Sequence, residues 1–248
     1  MIPITLEDLV EKNLIQELAF PSRDLNYART IFRELEEIGV GRVFISESDE
    51  PELIKLGKGY RGLVILGEVG DKRAALKILR SDAALASLES EAEATKLANS
   101  VGVGPKLLAY SRHVLALEFI EGVSFDRWIK DLEESRVDEL RKVLRECFKQ
   151  ARLLDKIPLD HGELSDAKKH VIVKSDLSPV IIDFGKASVK RKPSNVTSFF
   201  SYIAFGPHSE KILRMLRVEK PPVDRSRKYK REMTDEAFKE LLQSLNLY

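Results

Sequence analysis

Two acidic residues of the chain stand where their side chains could take part in a group-transfer reaction. Glu163 lies in the stretch HGELSDAKKH, which begins at His161, and Asp183 follows in the run IIDFGKAS. A positioned carboxylate can accept a proton from a hydroxyl group, and an aspartate at the end of an apolar strand can coordinate a divalent cation. Both functions are needed in phosphoryl transfer, because that reaction depends mainly on positioning and charge neutralisation.

A glycine-rich stretch, GKGYRGLV, contains Gly57, Gly59 and Gly62, followed by Val64. Glycines allow a backbone to approach phosphate groups and to donate N–H groups to them. A dinucleotide-binding turn has similar glycines but opens a helix after the third one, whereas LVIL continues here as a strand. The pattern therefore predicts a strand–loop–strand hairpin, which is either a plain turn or a cover over nucleotide phosphates.

Lys77 follows in the apolar strand AALK. A cation on a buried strand needs an anion, unless its side chain reaches the surface. The next helix offers three carboxylates as partners, those of Glu89, Glu91 and Glu93.

The order and spacing of these motifs resemble the protein-kinase-like superfamily. The sequence is most similar to its small atypical branch, which includes the RIO kinases and the tRNA-modification-associated kinase, and to an archaeal group of predicted serine/threonine kinases with an H-G-E-L loop. The resemblance covers about residues 53–205. It implies that the glycines, with Val64, cover ATP, that Lys77 grips its phosphates, and that Glu91, which begins an E-A pair, holds Lys77, with Glu93 as the alternative.

The resemblance also assigns the stretch LEFIEG to the hinge that binds adenine. Main-chain groups of Glu118, Phe119 and Ile120 would bond the adenine edge, while the side chain of Glu118 is structural. By itself the stretch is equally typical of an ordinary linker between a strand and a helix.

Two positions of the catalytic loop depart from the kinase pattern. Glu163 stands in place of the catalytic aspartate, and the alignment of HVIV puts His170 in place of the metal-binding asparagine. The resemblance thus implies Glu163, Asp183 and Lys77 as catalytic residues, and Asp183 and His170 as ligands of Mg²⁺ or Mn²⁺. Asp166 is a second candidate ligand, and His170 could instead simply cap a strand.

The segment after Asp183-Phe184-Gly185 lacks an A-P-E motif and is too short for a long activation segment. Atypical kinases share this lack, which removes the usual docking platform for peptides. Asn195-Val196-Thr197 is interpreted as a turn and a helix cap.

Periodicity predicts an α+β protein with a β-rich front half and a helix-rich back half. Helices are expected at 5–19, about 24–39, 83–100, 134–156 and beyond Ser194. The expected architecture is a two-lobed protein-kinase-like fold with a helical N-terminal extension. Its parts are 1–49 as the extension, 50–121 as the small β-rich lobe and 122–248 as the helical C-lobe, with ATP bound between the lobes.

Composition limits the classes of partner. The net charge of +1 provides no global attraction to nucleic acid or membrane, and the single Cys147 suits a reducing cytoplasm. No apolar run is long enough to span a membrane, and the N-terminus does not look like a signal peptide. DNA binding is not expected, although the basic run RSRKYKR, with Tyr229 for stacking, or the N-terminal helices could contact RNA.

The resulting hypothesis is an ATP-dependent serine/threonine protein kinase whose protein substrate is unknown and could be the chain itself. An ATPase switch in an RNA–protein assembly machine is the main alternative. A small-molecule kinase would need a larger insert before His161, and a pseudokinase would have no need for Lys77, Glu91 and Asp183 together.

Overall fold

Alternating apolar residues in the front of the chain build an antiparallel sheet. The computed structural model describes residues 1–59 and 61–248. These residues form two compact units, one of Met1–Lys96 and Pro105–Phe119, the other of Leu97–Gly104 and Ile120–Tyr248. The α+β class predicted from the sequence is confirmed.

The first unit contains a seven-stranded sheet in the order β1-β2-β4-β5-β7-β6, with β3 paired to β4. Its strands are β1 (Ile2–Thr5), β2 (Val40–Ile45), β3 (Lys55–Lys58), β4 (Gly62–Val69), β5 (Lys72–Leu79), β6 (Leu107–Tyr110) and β7 (Val114–Glu118). Leu76 and Ile78 on β5 point into a core that also contains Ile31 and Leu35 of the second helix. This register places Lys77 opposite Val64 of β4.

The helices of the first unit are α1 (Leu6–Glu11), a 3₁₀ turn (Ile15–Ala19), α2 (Leu25–Glu37) and α3 (Glu89–Asn99), the last of which continues into the second unit. Thr5 and Asp8 form the predicted capping box. The helix expected over 5–19 is interrupted because Asn13 adopts a left-handed φ of 57°. The helix expected from residue 83 begins only at Glu89.

The N-terminal segment is not only helical. Strands β1 and β2 pair with each other, and β2 also pairs with β4, so that residues 1–49 extend the sheet of the first unit. The division into an extension and two lobes at 49 and 121 stays a prediction. The two compact units divide after Phe119, and Leu97–Gly104 belongs to the second unit.

The second unit is mainly helical, with a small sheet in the order β10-β9-β8. Its elements are β8 (Val123–Ser124), α4 (Phe125–Asp131), α5 (Val137–Lys156), a 3₁₀ turn (Leu164–Lys169), β9 (Val171–Val173), β10 (Pro179–Ile181), α6 (Asn195–Phe205), α7 (Ser209–Leu216), α8 (Val223–Glu232) and α9 (Asp235–Ser244). The core lies around α5 and α6, where the rings of Phe148 and Phe199 meet edge to face at 4.9 Å. None of the helices in the described part of the chain has both the length and the apolarity required to cross a membrane.

Candidate active site

Three side chains that could bind a cation converge in the second unit. One ligand atom from each of Glu163, His170 and Asp183 lies within 4.8 Å of the other two. His170 is buried, whereas the two carboxylates are partly accessible. The sequence predicted roles for all three residues, and the structure brings them together.

The β9–β10 hairpin explains why His170 and Asp183 meet. His170 precedes β9 and Asp183 follows β10, and the two strands are antiparallel with Val171 opposite Ile181. The backbone N–H of Ile182 donates to the carbonyl oxygen of His170 at 2.9 Å, which extends the pairing by one step. Glu163 lies at the N-terminal end of the 3₁₀ turn that leads back into the hairpin.

Asp183 has an unusual backbone conformation. Its φ is +66°, in the left-handed region that residues other than glycine seldom adopt. The N–H of Gly185 donates to Asp183 Oδ1 at 3.3 Å, which supports the turn. Such a conformation costs on the order of 1–3 kcal/mol and is typical of functional sites.

Phe184 anchors the turn that carries Asp183. Its ring is buried and contacts the ring of His161 with centroids 5.1 Å apart. A Cβ at Gly104 would lie 2.7 Å from Phe184 Cε2, and Gly104 has a φ of +83°. A glycine is therefore required at 104 both for its conformation and for the space that it leaves to Phe184.

His161 connects the loop that carries Glu163 to the end of β10. Its Nε2 lies 3.0 Å from the carbonyl oxygen of Ile182, and because a carbonyl can only accept, Nε2 carries the proton. Burial lowers the pKa of His161 to about 4. The ring is therefore neutral at physiological pH and acts here as a structural donor.

Asn195 has a role that the sequence analysis missed. The sequence pattern predicts a turn and helix cap at Asn195, but its side chain is buried and binds the loop that precedes Glu163. Oδ1 accepts from the N–H of His161 at 2.8 Å, and Nδ2 donates to the carbonyl of Leu159 at 2.7 Å and to Asp155 at 2.8 Å. Burial raises the pKa of Asp155 despite the hydrogen bonds that it accepts from Tyr229 and Asn195. The loop before Glu163 is thus fixed to α5 and α6.

The cluster fits a divalent cation. Two carboxylates at this distance repel each other unless a positive charge lies nearby, and the imidazole adds a nitrogen ligand. His170 Nε2 lies 3.9 Å from Glu163 Oε1, and the buried Nδ1 has no hydrogen-bond partner among the described residues. Oxygen ligands alone suit Mg²⁺, whereas an imidazole in the set favours Mn²⁺ and other transition metals.

Asp166, the other ligand considered from the sequence, is not part of this set in the described chain. It is exposed, and its Oδ1 lies 3.4 Å from Lys168 Nζ. The backbone of Asp166 is non-helical within the 3₁₀ turn, with a φ of −123° and a ψ of 57°.

A lysine that the sequence analysis did not consider contacts the cluster. Lys186 Nζ lies 2.7 Å from Glu163 Oε1. Lys186 directly follows Gly185, so its position next to the aspartate motif was the available signal.

In the first unit, Lys77 is paired with Glu91. Lys77 Nζ lies 2.6 Å from Glu91 Oε1, and both side chains are buried. Glu93, the alternative partner, is exposed and lies 2.8 Å from Lys96. The pairing brings a cation and an anion together on β5 and α3, as the sequence predicted.

The three glycines of the glycine-rich hairpin differ in what surrounds them. A Cβ at Gly62 would lie 2.8 Å from the carbonyl oxygen of Ile78, so the fold itself requires this glycine. Among the described residues, no atom lies within 4 Å of a Cβ at Gly57, and the carbonyl oxygen of Gly62 lies 3.7 Å from a Cβ at Gly59. Tyr60 of this loop lies outside the described residues. The side-chain side of Gly57 and Gly59 is therefore open among the described residues, while Gly57 pairs with Val64 and the N–H of Gly59 donates to the carbonyl oxygen of Gly62 at 2.9 Å.

Hydrogen bonds within the first unit already occupy part of the expected hinge. The backbone N–H of Glu118 donates to the carbonyl oxygen of Lys106 at 2.8 Å, and the backbone N–H of Phe119 donates to the carbonyl oxygen of Arg73 at 3.1 Å. The Glu118 side chain accepts from the N–H of Lys106 at 3.2 Å, which is the structural role expected of it. Ile120 begins the segment Ile120–Tyr248, which belongs to the second unit.

The basic run on α8 differs from its sequence interpretation. Tyr229, considered for base stacking, is buried, and its hydroxyl donates to Asp155 at 2.8 Å. Arg225 and Lys228 each lie 2.7 Å from Glu240 of α9. Tyr229 is thus a core residue and is not available to nucleic acid.

A comparison with models of protein families matched the RIO domain to residues 68–201, which is more than half of the chain. The chain belongs to the RIO family of atypical protein-kinase-like proteins. The two-lobed kinase-like fold predicted from the sequence is thereby confirmed. A comparison with curated proteins found no match.

The RIO domain match includes Lys77, Glu91 and the cluster of Glu163, His170 and Asp183. The glycine-rich hairpin at 57–64 and helices α7 to α9 lie outside the matched range. Membership in this family makes the chain an atypical kinase-like protein, and the family generally uses ATP and a divalent metal.

Proposed function

We propose that the chain is an ATP-dependent atypical serine/threonine protein kinase that transfers the γ-phosphoryl group to a protein hydroxyl, including hydroxyls of its own. The observation that carries this proposal is the convergence of Glu163, His170 and Asp183 within 4.8 Å. This convergence places a carboxylate that can accept a proton beside two groups that can hold a cation.

Glu163 is the proposed base. The acceptor oxygen forms a bond to phosphorus as the bond between phosphorus and the β,γ-bridging oxygen breaks, the hydroxyl proton passes to Glu163, and ADP leaves. Because the transition state is loose, a glutamate in place of an aspartate slows transfer without abolishing it. The hydrogen bonds of His161 to Asn195 and Ile182 keep the loop of Glu163 in place.

Asp183 and His170 are the proposed metal ligands. A divalent cation bound there would neutralise the charge of the nucleotide phosphates. The strained φ of Asp183 and the packed ring of Phe184 fix the carboxylate in its position before any cation binds.

The first unit supplies the proposed nucleotide contacts. Lys77 contacts the α- and β-phosphates while Glu91 holds its ammonium group, and the backbone at Gly57 and Gly59 covers the phosphates. Val64, opposite Lys77 in the register, and main-chain groups near Ile120 are proposed to contact the base.

Mass spectrometry of the chain after incubation with ATP and Mn²⁺ or Mg²⁺ tests the proposal. We expect one or more phosphoryl groups on serine or threonine residues of the chain or of an added protein acceptor. The Asp183→Asn variant should remain unmodified, and Asp166→Asn, outside the cluster, should behave as wild type. Equal modification of wild type and Asp183→Asn would contradict the proposed site.

An ATPase switch is the second candidate function, favoured by the segment that follows the aspartate motif. Ser188 and Asp160 exchange two backbone hydrogen bonds, at 2.9 and 3.0 Å, and Arg191 binds the Asp160 side chain at 2.8 Å. These bonds fix the segment against the loop that carries Glu163. An open platform on which a peptide substrate could dock is therefore not formed by this segment. In an ATPase switch, water is the acceptor of the phosphoryl group, and ATP hydrolysis would drive the remodelling of an RNA–protein assembly.

A further inference from the structure

The ammonium group of Lys186 is placed at the carboxylate that we propose as the base. Lys186 Nζ lies 2.7 Å from Glu163 Oε1, and the two side chains are 56% and 21% exposed. The same oxygen of Glu163 lies 3.9 Å from His170 Nε2. Two groups, the ammonium of Lys186 and the imidazole of His170, therefore face one carboxylate oxygen.

The backbone of Lys186 is fixed on both sides. Its carbonyl oxygen accepts from Arg191 Nη2 at 2.6 Å, and Arg191 Nε donates to Asp160 Oδ2 at 2.8 Å. The N–H of the next residue, Ala187, donates to the carbonyl of Phe184 at 2.9 Å. A flexible side chain thus extends from a rigid main chain.

Gly162 leaves the space that this arrangement needs. A Cβ at Gly162 would lie 2.6 Å from Arg191 Nη2 and 2.9 Å from the carbonyl oxygen of Lys186, and Gly162 has a φ of +85°. A larger residue at 162 would push Lys186 and Arg191 away from the catalytic loop. The position of Lys186 is therefore built into the loop that carries Glu163.

An ordinary surface ion pair is the alternative explanation, because exposed lysines often lie near carboxylates and contribute little to stability. Two other lysines of the same segment, Lys190 and Lys192, make no ion pair with any described residue. Of these three lysines, as far as the described residues show, Lys186 alone has a carbonyl oxygen bonded by Arg191 and an ammonium group paired with Glu163. The contrast within one segment favours a specific role for Lys186.

We propose that Lys186 is a further catalytic residue, whose ammonium group moves from Glu163 to the oxygens of the γ-phosphoryl group during transfer. This inference rests on the proposed function and applies whether the acceptor is a hydroxyl group or water. In the resting site the ammonium group partly balances the cluster of carboxylates. During transfer the bond between phosphorus and the bridging oxygen breaks while the bond between the acceptor oxygen and phosphorus forms. The ammonium group of Lys186 then stabilises the charge on the transferred group, and the proton of the acceptor goes to Glu163.

A lysine suits this movement. Its ammonium is a compact charge on a four-carbon stem, which can change partners over a few ångströms while the main chain stays fixed. Cations aimed at the transferred group are a general means of accelerating phosphoryl transfer. Loss of such a contact therefore affects the chemical step more than the binding of ATP.

The test compares the full-length chain with Lys186→Met, Lys186→Arg and the control Lys190→Met. Turnover of ATP gives kcat and KM, and calorimetry gives the affinity for ADP with and without aluminium fluoride, which mimics the phosphoryl group in transfer. We expect Lys186→Met to lower kcat on the order of a hundredfold to a thousandfold with KM for ATP little changed. Lys186→Met should also lose the gain in ADP affinity that aluminium fluoride produces. Lys186→Arg should restore part of kcat and part of this gain. Lys190→Met should match wild type in both quantities.

The other outcomes contradict the proposal in different ways. An unchanged kcat and an unchanged gain from aluminium fluoride in Lys186→Met would make Lys186 a solvated lysine. A raised kcat would make the contact with Glu163 an inhibitory one. If wild type itself shows neither turnover nor a gain from aluminium fluoride, the proposed function fails, whereas a wild-type gain that survives in Lys186→Met overturns the role of Lys186 alone.

Discussion

Lys77 Nζ and Glu91 Oε1 lie 2.6 Å apart with both side chains buried, which joins β5 to α3. Removing one partner of a buried ion pair leaves the other charge without compensation and typically costs about 3–5 kcal/mol. We therefore expect Glu91→Gln to lower the thermal unfolding midpoint and to accelerate amide hydrogen exchange in β5. Glu93→Gln is the matched control, because Glu93 is an exposed residue on the same helix. Equal behaviour of the two variants would show that the buried pair is not important for stability.

Lys77 also gives a prediction about nucleotide affinity. A charge-assisted contact to phosphate is worth about 1.5–3 kcal/mol, so Lys77→Met should weaken ATP binding on the order of tenfold to a hundredfold. Fluorescence titration with a labelled ATP analogue measures this. Lys72→Met, at the start of the same strand and exposed, should bind ATP as wild type does. An unchanged affinity in Lys77→Met would remove Lys77 from the nucleotide site.

The presence of His170 in the cluster leads us to expect a preference for Mn²⁺ over Mg²⁺. With an imidazole among the ligands, the chain should bind Mn²⁺ more tightly than Mg²⁺, and His170→Asn should reduce this preference by restoring an oxygen ligand. The loss of Mn²⁺ affinity should be on the order of tenfold to a hundredfold. Titration of Mn²⁺ by electron paramagnetic resonance, with Mg²⁺ as competitor, gives both affinities. The same preference in wild type and His170→Asn would leave His170 as a buried residue that caps β9.

Asn195 predicts a difference between two variants. Asn195→Ala leaves the N–H of His161 and the carbonyl of Leu159 unsatisfied, each at a cost of about 1–3 kcal/mol. Asn195→Asp should destabilise the chain more, since it places a second carboxylate against Asp155, 2.8 Å from the present amide nitrogen. Thermal unfolding of both variants tests the order. A more stable Asp variant would contradict the assignment of Nδ2 as a donor to Asp155.

Glu34 predicts a pH effect on the first unit. Burial opposes ionisation, but hydrogen bonds from Ser111 and His113 hold the pKa of Glu34 below its ordinary value of 4.5. The unfolded chain therefore binds more protons below that value, and the stability that Glu34 provides is present above it and is lost as the pH falls through the folded pKa. Between about pH 5 and pH 3, wild type should lose stability more steeply than Glu34→Gln. Parallel curves for the two proteins would contradict the shift.

The sequence predicts those parts of the site that depend on local order. The sequence predicts one apolar strand after His170 and another before Asp183, and the resemblance assigns both residues to a metal. The antiparallel pairing of the two strands in the structure then brings the two side chains together. Lys77 on an apolar strand requires a carboxylate, the following helix offers three, and the resemblance to atypical kinases selects Glu91, which is the partner observed. In both cases one element and its neighbour determine the contact.

Contacts between distant segments were not predicted. Asn195 lies 34 residues from His161, and nothing in NVT shows that the first side chain turns inward to bind a loop. The pairing of Lys186 with Glu163 depends on the clamp formed by Arg191 and Asp160, which exists only after the unit folds. Tyr229 appeared accessible because its neighbours are charged, yet its ring is buried against α9. Such contacts are determined by tertiary packing and not by local pattern.

The most direct test follows the label of γ-labelled ATP in wild type, Glu163→Gln and Asp183→Asn, with Mn²⁺ or Mg²⁺ present. Our account predicts that wild type transfers label to protein hydroxyls or, as an ATPase, to water, and that both variants lose this turnover while remaining folded. Label on protein would support the kinase, and label released as free phosphate would support the ATPase. Turnover that is the same in wild type and in both variants, or absent from all three, would contradict the assignment of Glu163 and Asp183 to a phosphoryl-transfer site.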